Sequence, residues 1–357
     1  MKQFILIISL LTCFSYYSFA QKNDKTLINE GVELHDSLEF EKAIDKYNEA
    51  LKLNPESMLA KYELALSYLE LKDYNNAIKY ATDVIESGNS EILAESYNVK
   101  SEALVGLNKI DEAIQLLNEG IKKTGNHFFL QFNLALNYYK KRDLENALKY
   151  VRQAIDMSKS SSGAFLLNAY ITNDIGLWVQ SLLSFQMFLT LEPDSKRSQN
   201  AFEEMMQIMR IKPTSGKPIE RSFVQLQMNG GNDSTHIIKD IPPLNIEDGL
   251  DRKAVWDIIQ SKLNQLNAYE KEPSLYLIFT EVNKAIVNSL EKTHNGSKEG
   301  AMWIFFVPFF TQIVNSEHYE TYCKYISVSY FPESLEWWNT NKDKGEEFKK
   351  WFENGDD

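Results

Sequence analysis

The sequence predicts a mainly α-helical solenoid of about five stacked helix–turn–helix repeats with a capping helix, followed by a second, mostly helical domain. Two observations carry this prediction. The first is a short pattern, a bulky residue with a small one three places on, that recurs as Phe40–Ala43, Tyr74–Ala77, Ile110–Ala113, Leu144–Ala147 and Trp178–Ser181. The small residue returns in steps of 34, 36, 34 and 34 residues, and so constant a period marks units that bury their apolar faces by stacking. The second is a second small position, twelve residues before the first, filled by Gly31, Ala65, Ser101, Ala135 and Ala169. Two helices that cross closely need small side chains at the crossing, because packed interiors hold no spare volume.

With the small residue of each second helix set at position 20, repeats begin near Asp24, Met58, Ala94, Phe128 and Ser162. Leu34, Tyr68, Leu104, Tyr138 and Thr172 then occupy position 11 and fill the gap between helices, Thr172 least well. Lys72-Asp73, Asn108-Lys109 and Arg142-Asp143 read as the polar turns inside their units. Pro55 and Pro193 close the first and fifth repeats, where a residue without an N–H stops a helix. The two extra residues of the second repeat fall in the region of Ser87-Gly-Asn-Ser90. The segment 196–210, with Ala201, Met205, Ile208 and Met209 apolar, is expected to cap the array, so that repeats and cap together span 24–211.

Bulk properties narrow the function. The chain has 357 residues and a net charge of −12, which argues against nucleic-acid binding and against adsorption to an anionic membrane. Residues 1–20 read as a secretory signal: Lys2, an apolar run from Phe4 to Leu11, and Ser18-Phe-Ala20 before the expected cut. That run is too short to span a bilayer, so no transmembrane segment is expected once the signal is removed. Thr12 before Cys13 disfavours a lipid anchor there. The expected location is therefore the periplasm or the extracellular space, with Cys323 the one thiol left and no intrachain disulfide.

The small residues at positions 8 and 20, the 34-residue spacing and the polar turns together resemble tetratricopeptide repeats, over about residues 24–212. The layout as a whole, with its lysine-, asparagine- and tyrosine-rich style, resembles exported tetratricopeptide proteins of Bacteroidota. The resemblance implies that positions 2, 5, 9 and 12 of each first helix line a binding groove. In the second repeat these are Leu59, Tyr62, Leu66 and Leu69; in the third, Glu95, Asn98 and Glu102. The fourth gives Phe129, Phe132, Leu136 and Tyr139, and the fifth Leu166, Tyr170 and Asn173. Aliphatic and aromatic anchors of this kind suit a helix or an extended peptide. The alternative for each is ordinary packing against a neighbouring helix. Co-chaperone repeats that clamp a terminal carboxylate carry Lys and Asn at positions 5 and 9 of their first repeat, where this chain has Ile28 and Val32.

Composition changes at 212–220, read as a linker rich in Pro and Gly, before a domain over 221–357. Ser222–Met228 alternates, Asn229-Gly-Gly-Asn-Asp233 is a turn sequence and His236–Ile238 returns, so a β-hairpin is expected there. Helical spacing resumes from Lys253. Ala301–Phe310 is read as a buried helix interrupted at Pro308, and Trp337, Trp351 and Phe352 are expected to pack inward.

No catalytic constellation is found. The histidines at 35, 127, 236, 294 and 318 share no metal-ligand spacing, and no nucleophile elbow, phosphate loop or calcium loop is present. No metal or cofactor is expected. Two functional readings follow. The first is an exported scaffold that binds a protein or peptide partner in the repeat groove. The second is a small-molecule, sugar-binding or enzymatic pocket in 221–357, near Trp303, Tyr325, Trp337 and Trp338, with the repeats as a targeting arm.

Overall fold

A computed structural model of the chain describes residues 24–211, 249–269, 272–293, 300 and 302–354. The expected signal over 1–20, linker over 212–220 and hairpin over 222–238 lie outside the described residues. The chain divides into two compact units, one over 24–157 and the other over 158–211 with 249–354. All regular structure among the described residues is helical.

The first unit holds four helix pairs: α1 (24–36), α2 (Phe40–Leu53), α3 (Met58–Glu70), α4 (Tyr74–Ser87), α5 (Leu93–Gly106), α6 (Ile110–Thr124), α7 (Phe128–Lys140) and α8 (Leu144–Met157). Each helix packs on the next, and first helices also meet across one place, α3 with α5 and α5 with α7. Ala43, Ala77, Ala113 and Ala147, at position 20, are wholly buried. Gly31 shows why position 8 is small: a Cβ there would run into the ring of Tyr47, itself fully buried.

One turn closes every first helix. Leu38, Lys72, Asn108 and Arg142 all sit in the left-handed region, with φ of 61, 60, 61 and 63°. The following residue donates back to the carbonyl of position 11: Glu39 to Leu34, Asp73 to Tyr68, Lys109 to Leu104 and Asp143 to Tyr138, at 2.9–3.0 Å. Asp73 and Asp143 then cap α4 and α8, accepting from the backbone N–H of Asn76 and Asn146, each at 3.2 Å. The position-11 rings repeat too: Tyr68 stacks on Tyr80 and Tyr138 on Tyr150, at 5.7 and 5.5 Å.

The second unit begins with α9 (Ser162–Asp174), α10 (Trp178–Leu191) and α11 (Lys196–Ile208). It continues with α12 (Arg252–Tyr269), α13 (Leu275–Thr293), a π-helical turn over Met302–Phe306, α14 (Val307–Asn315), α15 (Tyr319–Ile326), α16 (Pro332–Thr340) and α17 (Lys342–Asn354). Ser181, the one non-alanine at position 20, is buried and donates to the carbonyl of Ala169 at 2.9 Å, so its hydroxyl is satisfied across the helix crossing.

The helix α11 repeats the first-helix design at both ends. Ser195 caps its start, accepting from Ser198 N–H at 3.1 Å, as Ser161 and Ser57 do for α9 and α3. Arg210 takes φ 53° at its end, and Ile211 donates to Met206 at 3.0 Å. Residues 38, 72, 108, 142, 176 and 210 thus share one register.

Every residue of α10 from Val179 to Thr190 is buried, which is the pattern of a central helix rather than of an amphipathic surface one. Within the unit Thr190 meets the hydroxyl of Tyr322 at 3.3 Å, and Arg252 donates to Gln180 at 3.3 Å. Phe165 packs against Phe305 and Phe306 at 6.4 and 6.0 Å. The run read as one helix from Ala301 opens instead with the π turn, and Pro308 lies in the first turn of α14, where its missing N–H costs nothing. In α17 the fully buried ring is Phe348; Phe352 is 36% exposed and Trp351 half-buried.

Candidate binding face of the first helices

The register places the expected groove residues on α3, α5 and α7 of the first unit and on α9 of the second. On α3, Leu59 is 44% exposed, while Tyr62, Leu66 and Leu69 are half-buried around Ala65 and Val99. On α5, Glu95, Asn98 and Glu102 are half-buried. On α7, Phe129 and Phe132 are half-buried, Phe132 stacking on Phe128 at 5.7 Å, whereas Leu136 and Tyr139 are buried. On α9, Leu166 and Tyr170 are wholly buried and Asn173 is half-buried.

The structure draws the polar members together. Asn98 donates to Glu102 at 2.9 Å, and Asn133 on α7 donates to both Asn98 and Glu102, the latter at 3.3 Å. Burial pushes the Glu102 carboxyl up, while the two amide donors pull it back. Burial also takes Lys140 down to about 8, against the attraction of Glu102. Tyr62 is pushed up to about 12 by burial and by Glu63, Glu95 and Glu102 nearby. The carboxyl of Glu63 rises to about 7, first because it is buried and then because Asp36 is close.

Asp36, Glu63, Asn133 and Lys140 stand at positions 6 and 13, which the expected lining omitted. Their signal in the sequence is polarity seven residues apart on the helix stripe that also holds positions 2 and 9. His35 is engaged in packing, with Nδ1 2.8 Å from Ser67 Oγ and its ring edge-on to Phe40 at 5.0 Å.

In the second unit a cavity of ≈ 190 Å³ is lined by Glu317, His318, Glu320, Trp337, Lys344 and Glu347 among others. The His318 ring lies 5.0 Å from that of Trp351. Cys323 is fully buried, and burial pushes its thiol up to about 12. Among the described residues no group of three or more His, Cys, Asp or Glu converges as a metal site, and no helix is long and apolar enough to cross a membrane.

Family models described as tetratricopeptide repeat match residues 29–91 and 130–161. The chain is 24% identical over 145 residues to the Hsp70-Hsp90 organising protein of Plasmodium falciparum, across 41% of this chain and 23% of that one. It is 20% identical over 226 residues to the TPR repeat-containing protein MJ1428 of Methanocaldococcus jannaschii, across 57% of this chain and 39% of that one. The chain thus spans well under half the length of these curated relatives. The solved structure of Pseudomonas aeruginosa pilF is similar with a TM-score of 0.48 and 16% identity, over 58% of this chain and 90% of that one. Matched by family models at both ends of the first unit and built of helix pairs throughout it, the chain carries tetratricopeptide repeats.

Proposed function

We propose that this chain is an exported protein–protein interaction scaffold, and that it holds a peptide or helix of its partner on the first-helix face of α3, α5 and α7. The observation that carries the reading is the row of apolar side chains left partly open there: Leu59, Tyr62, Leu66 and Leu69, with Phe129 and Phe132 further along. Side chains of this size at i, i+3 and i+7 spacing offer pockets to an apolar residue of a partner. The kinship with an organising protein of chaperones supports a scaffold role. The mode differs from a carboxylate clamp, since Ile28 is 2% exposed and Val32 packs on the same core cluster. Export rests on the leader reading of residues 1–20.

The test replaces Tyr62 and Phe132 with Ala in the full chain and measures capture of envelope proteins beside the far-ultraviolet dichroism. Loss of capture with unchanged helicity supports the face; undiminished capture removes it.

A second reading is favoured by the ≈ 190 Å³ cavity, whose lining includes Trp337, His318 and three carboxylates. A sugar or a small amine is the ligand class such a lining suits. Thermal-shift screening with sugars and amines tests it, and a flat response across both sets, with Glu347→Ala behaving as the parent, counts against it.

A further inference from the structure

The charges on the first-helix face do not balance. Asp36, Glu63, Glu70, Glu95 and Glu102 lie along α1, α3 and α5, and the electrostatic coupling of Tyr62 to Glu63, Glu95 and Glu102 places three of them around one ring. α1 meets α3 where His35 Nδ1 lies 2.8 Å from Ser67 Oγ, and α3 packs on α5, so these carboxylates follow one another across adjacent first helices; Glu63 senses Asp36, and Glu102 senses Glu70. The lysines of these helices are committed elsewhere: Lys61 faces Asp83 on α4 at 3.7 Å, and Lys100 interacts with Glu119 on α6. The bases on the stripe are Lys140, beside Glu102, and Lys25 at the outer start of α1. None of the five carboxylates forms an ion pair among the described residues.

Apolar anchors run through this row. Leu59, Tyr62, Leu66 and Leu69 are interleaved with Glu63 and Glu70 along α3, beside Glu95 and Glu102 on α5. Partly desolvated carboxylates interact more strongly with a cation than exposed ones do, and they repel an anion equally. The buried Tyr47 side chain places its hydroxyl among Glu63, Ser67 and Asp36, beside this row.

We infer that the face of α1, α3 and α5 docks a partner segment in which lysine or arginine alternates with aliphatic or aromatic residues. The inference rests on the peptide-binding reading above and names the class of peptide. Arginine suits these carboxylates best, because its planar fork can give one carboxylate two bonds at once. Apolar side chains of the segment sit against Leu59, Tyr62 and Leu66, and its cations meet the acids between them. An acidic segment is rejected by the same row.

The experiment uses the full chain and three fluorescent dodecapeptides, identical in their Leu and Phe positions and carrying Arg, Gln or Glu at the others. Binding is followed by anisotropy at low and physiological salt. The Arg peptide is expected to bind at least tenfold more tightly than the Gln peptide, with the Glu peptide weakest. The triple variant Glu63→Gln, Glu95→Gln, Glu102→Gln is expected to lose about tenfold in affinity for the Arg peptide, the sum of three modest ion pairs. A control, Glu41→Gln, Glu49→Gln, Glu145→Gln, removes the same charge from exposed second-helix positions and is expected to change affinity less than twofold.

Equal losses in the two triple variants overturn the proposal, because attraction then comes from the net charge of −12 and not from the face. Equal binding of all three peptides, abolished by Tyr62→Ala with Phe132→Ala, overturns the charge preference and leaves the peptide-binding face standing. No binding of any peptide removes both.

Discussion

The ring of Phe202 on α11 lies 4.9 Å from that of Phe279 on α13, edge to face, and both are fully buried. Tyr330 and Phe331 close on the same ring at 4.9 and 5.5 Å. The helix that follows the fifth repeat therefore buries one side in the core of its unit, while Lys196 and Gln199 stay exposed on the other. Phe202→Ala removes the central ring and is expected to cost about 3–5 kcal/mol. Urea unfolding of the full chain, read by tyrosine and tryptophan fluorescence, measures it. A loss below 1 kcal/mol would show that the cluster is not a core.

Glu63 gives the first unit a dependence on pH with a definite sign. Its carboxyl titrates near 7 in the fold against an ordinary 4.5, so the folded state holds the proton more tightly than the unfolded one. Its contribution is thus present in full below the ordinary value and is lost as pH rises towards 7. The loss is about 1–2 kcal/mol, since solvent still reaches the group and weakens the repulsion from Asp36. Comparing the parent with Glu63→Gln at pH 5 and pH 7.5 isolates it, since the titration of Lys140, at about 8, is common to both chains. Parallel stabilities at the two pH values would dismiss the effect.

The repeated turn offers a direct test of backbone strain. Lys72 occupies a left-handed conformation, φ 60°, that costs a side chain about 1–2 kcal/mol and glycine nothing. Lys72→Gly is expected to stabilise by about 0.5 kcal/mol once the added freedom of the unfolded chain is counted. Gly176→Ala, at φ 82° in the same register, is expected to destabilise by about 1 kcal/mol. Thermal melts of the two variants should move in opposite directions.

Gly31 predicts a cost of the opposite origin. An added methyl meets the buried ring of Tyr47, so Gly31→Ala is expected to destabilise by about 1–3 kcal/mol despite the better helix propensity of alanine. Gly31→Ala combined with Tyr47→Leu should recover part of the loss. A neutral single variant would mean that the ring moves freely.

Cys323 is predicted to be silent. Its thiol is wholly buried and pushed up to about 12, leaving almost no thiolate at pH 8. Iodoacetamide should fail to label the folded chain at pH 8 and label it fully in urea; labelling of the folded chain would place the residue at an accessible site.

The repeat register was legible in the sequence because it is local. Positions 8, 11 and 20 and the polar turns are fixed by contacts between helices adjacent in the chain, and small residues at a constant period report such contacts directly. The surroundings of α10 were not legible, because they depend on partners such as Thr190 and Tyr322, 132 residues apart. The choice among Phe348, Trp351 and Phe352 in α17 was hidden for a related reason: all three are apolar, and only the packing of α15 on α17 selects Phe348. Asp36, Glu63 and Glu70 lie outside the expected lining, unlike Glu95 and Glu102, because a charge on a helix is by default a solvated one. Glu63 and Glu102 depart from that default through burial by residues of neighbouring helices, which no single helix displays.

The turn shared by residues 38, 72, 108, 142, 176 and 210 has a consequence for how such a chain changes in length. Asn108 and Arg142 leave their helices in one conformation, and Lys109 and Asp143 both donate back to position 11. Excising 109–142 would therefore join the outgoing half of one turn to the onward half of another with no new backbone geometry at the seam. A duplication inserted at the same point would be equally smooth. The residue that carries the strain is also the place where recombination does least harm, so whole repeats, and not single helices, are the units by which the array gains or loses length.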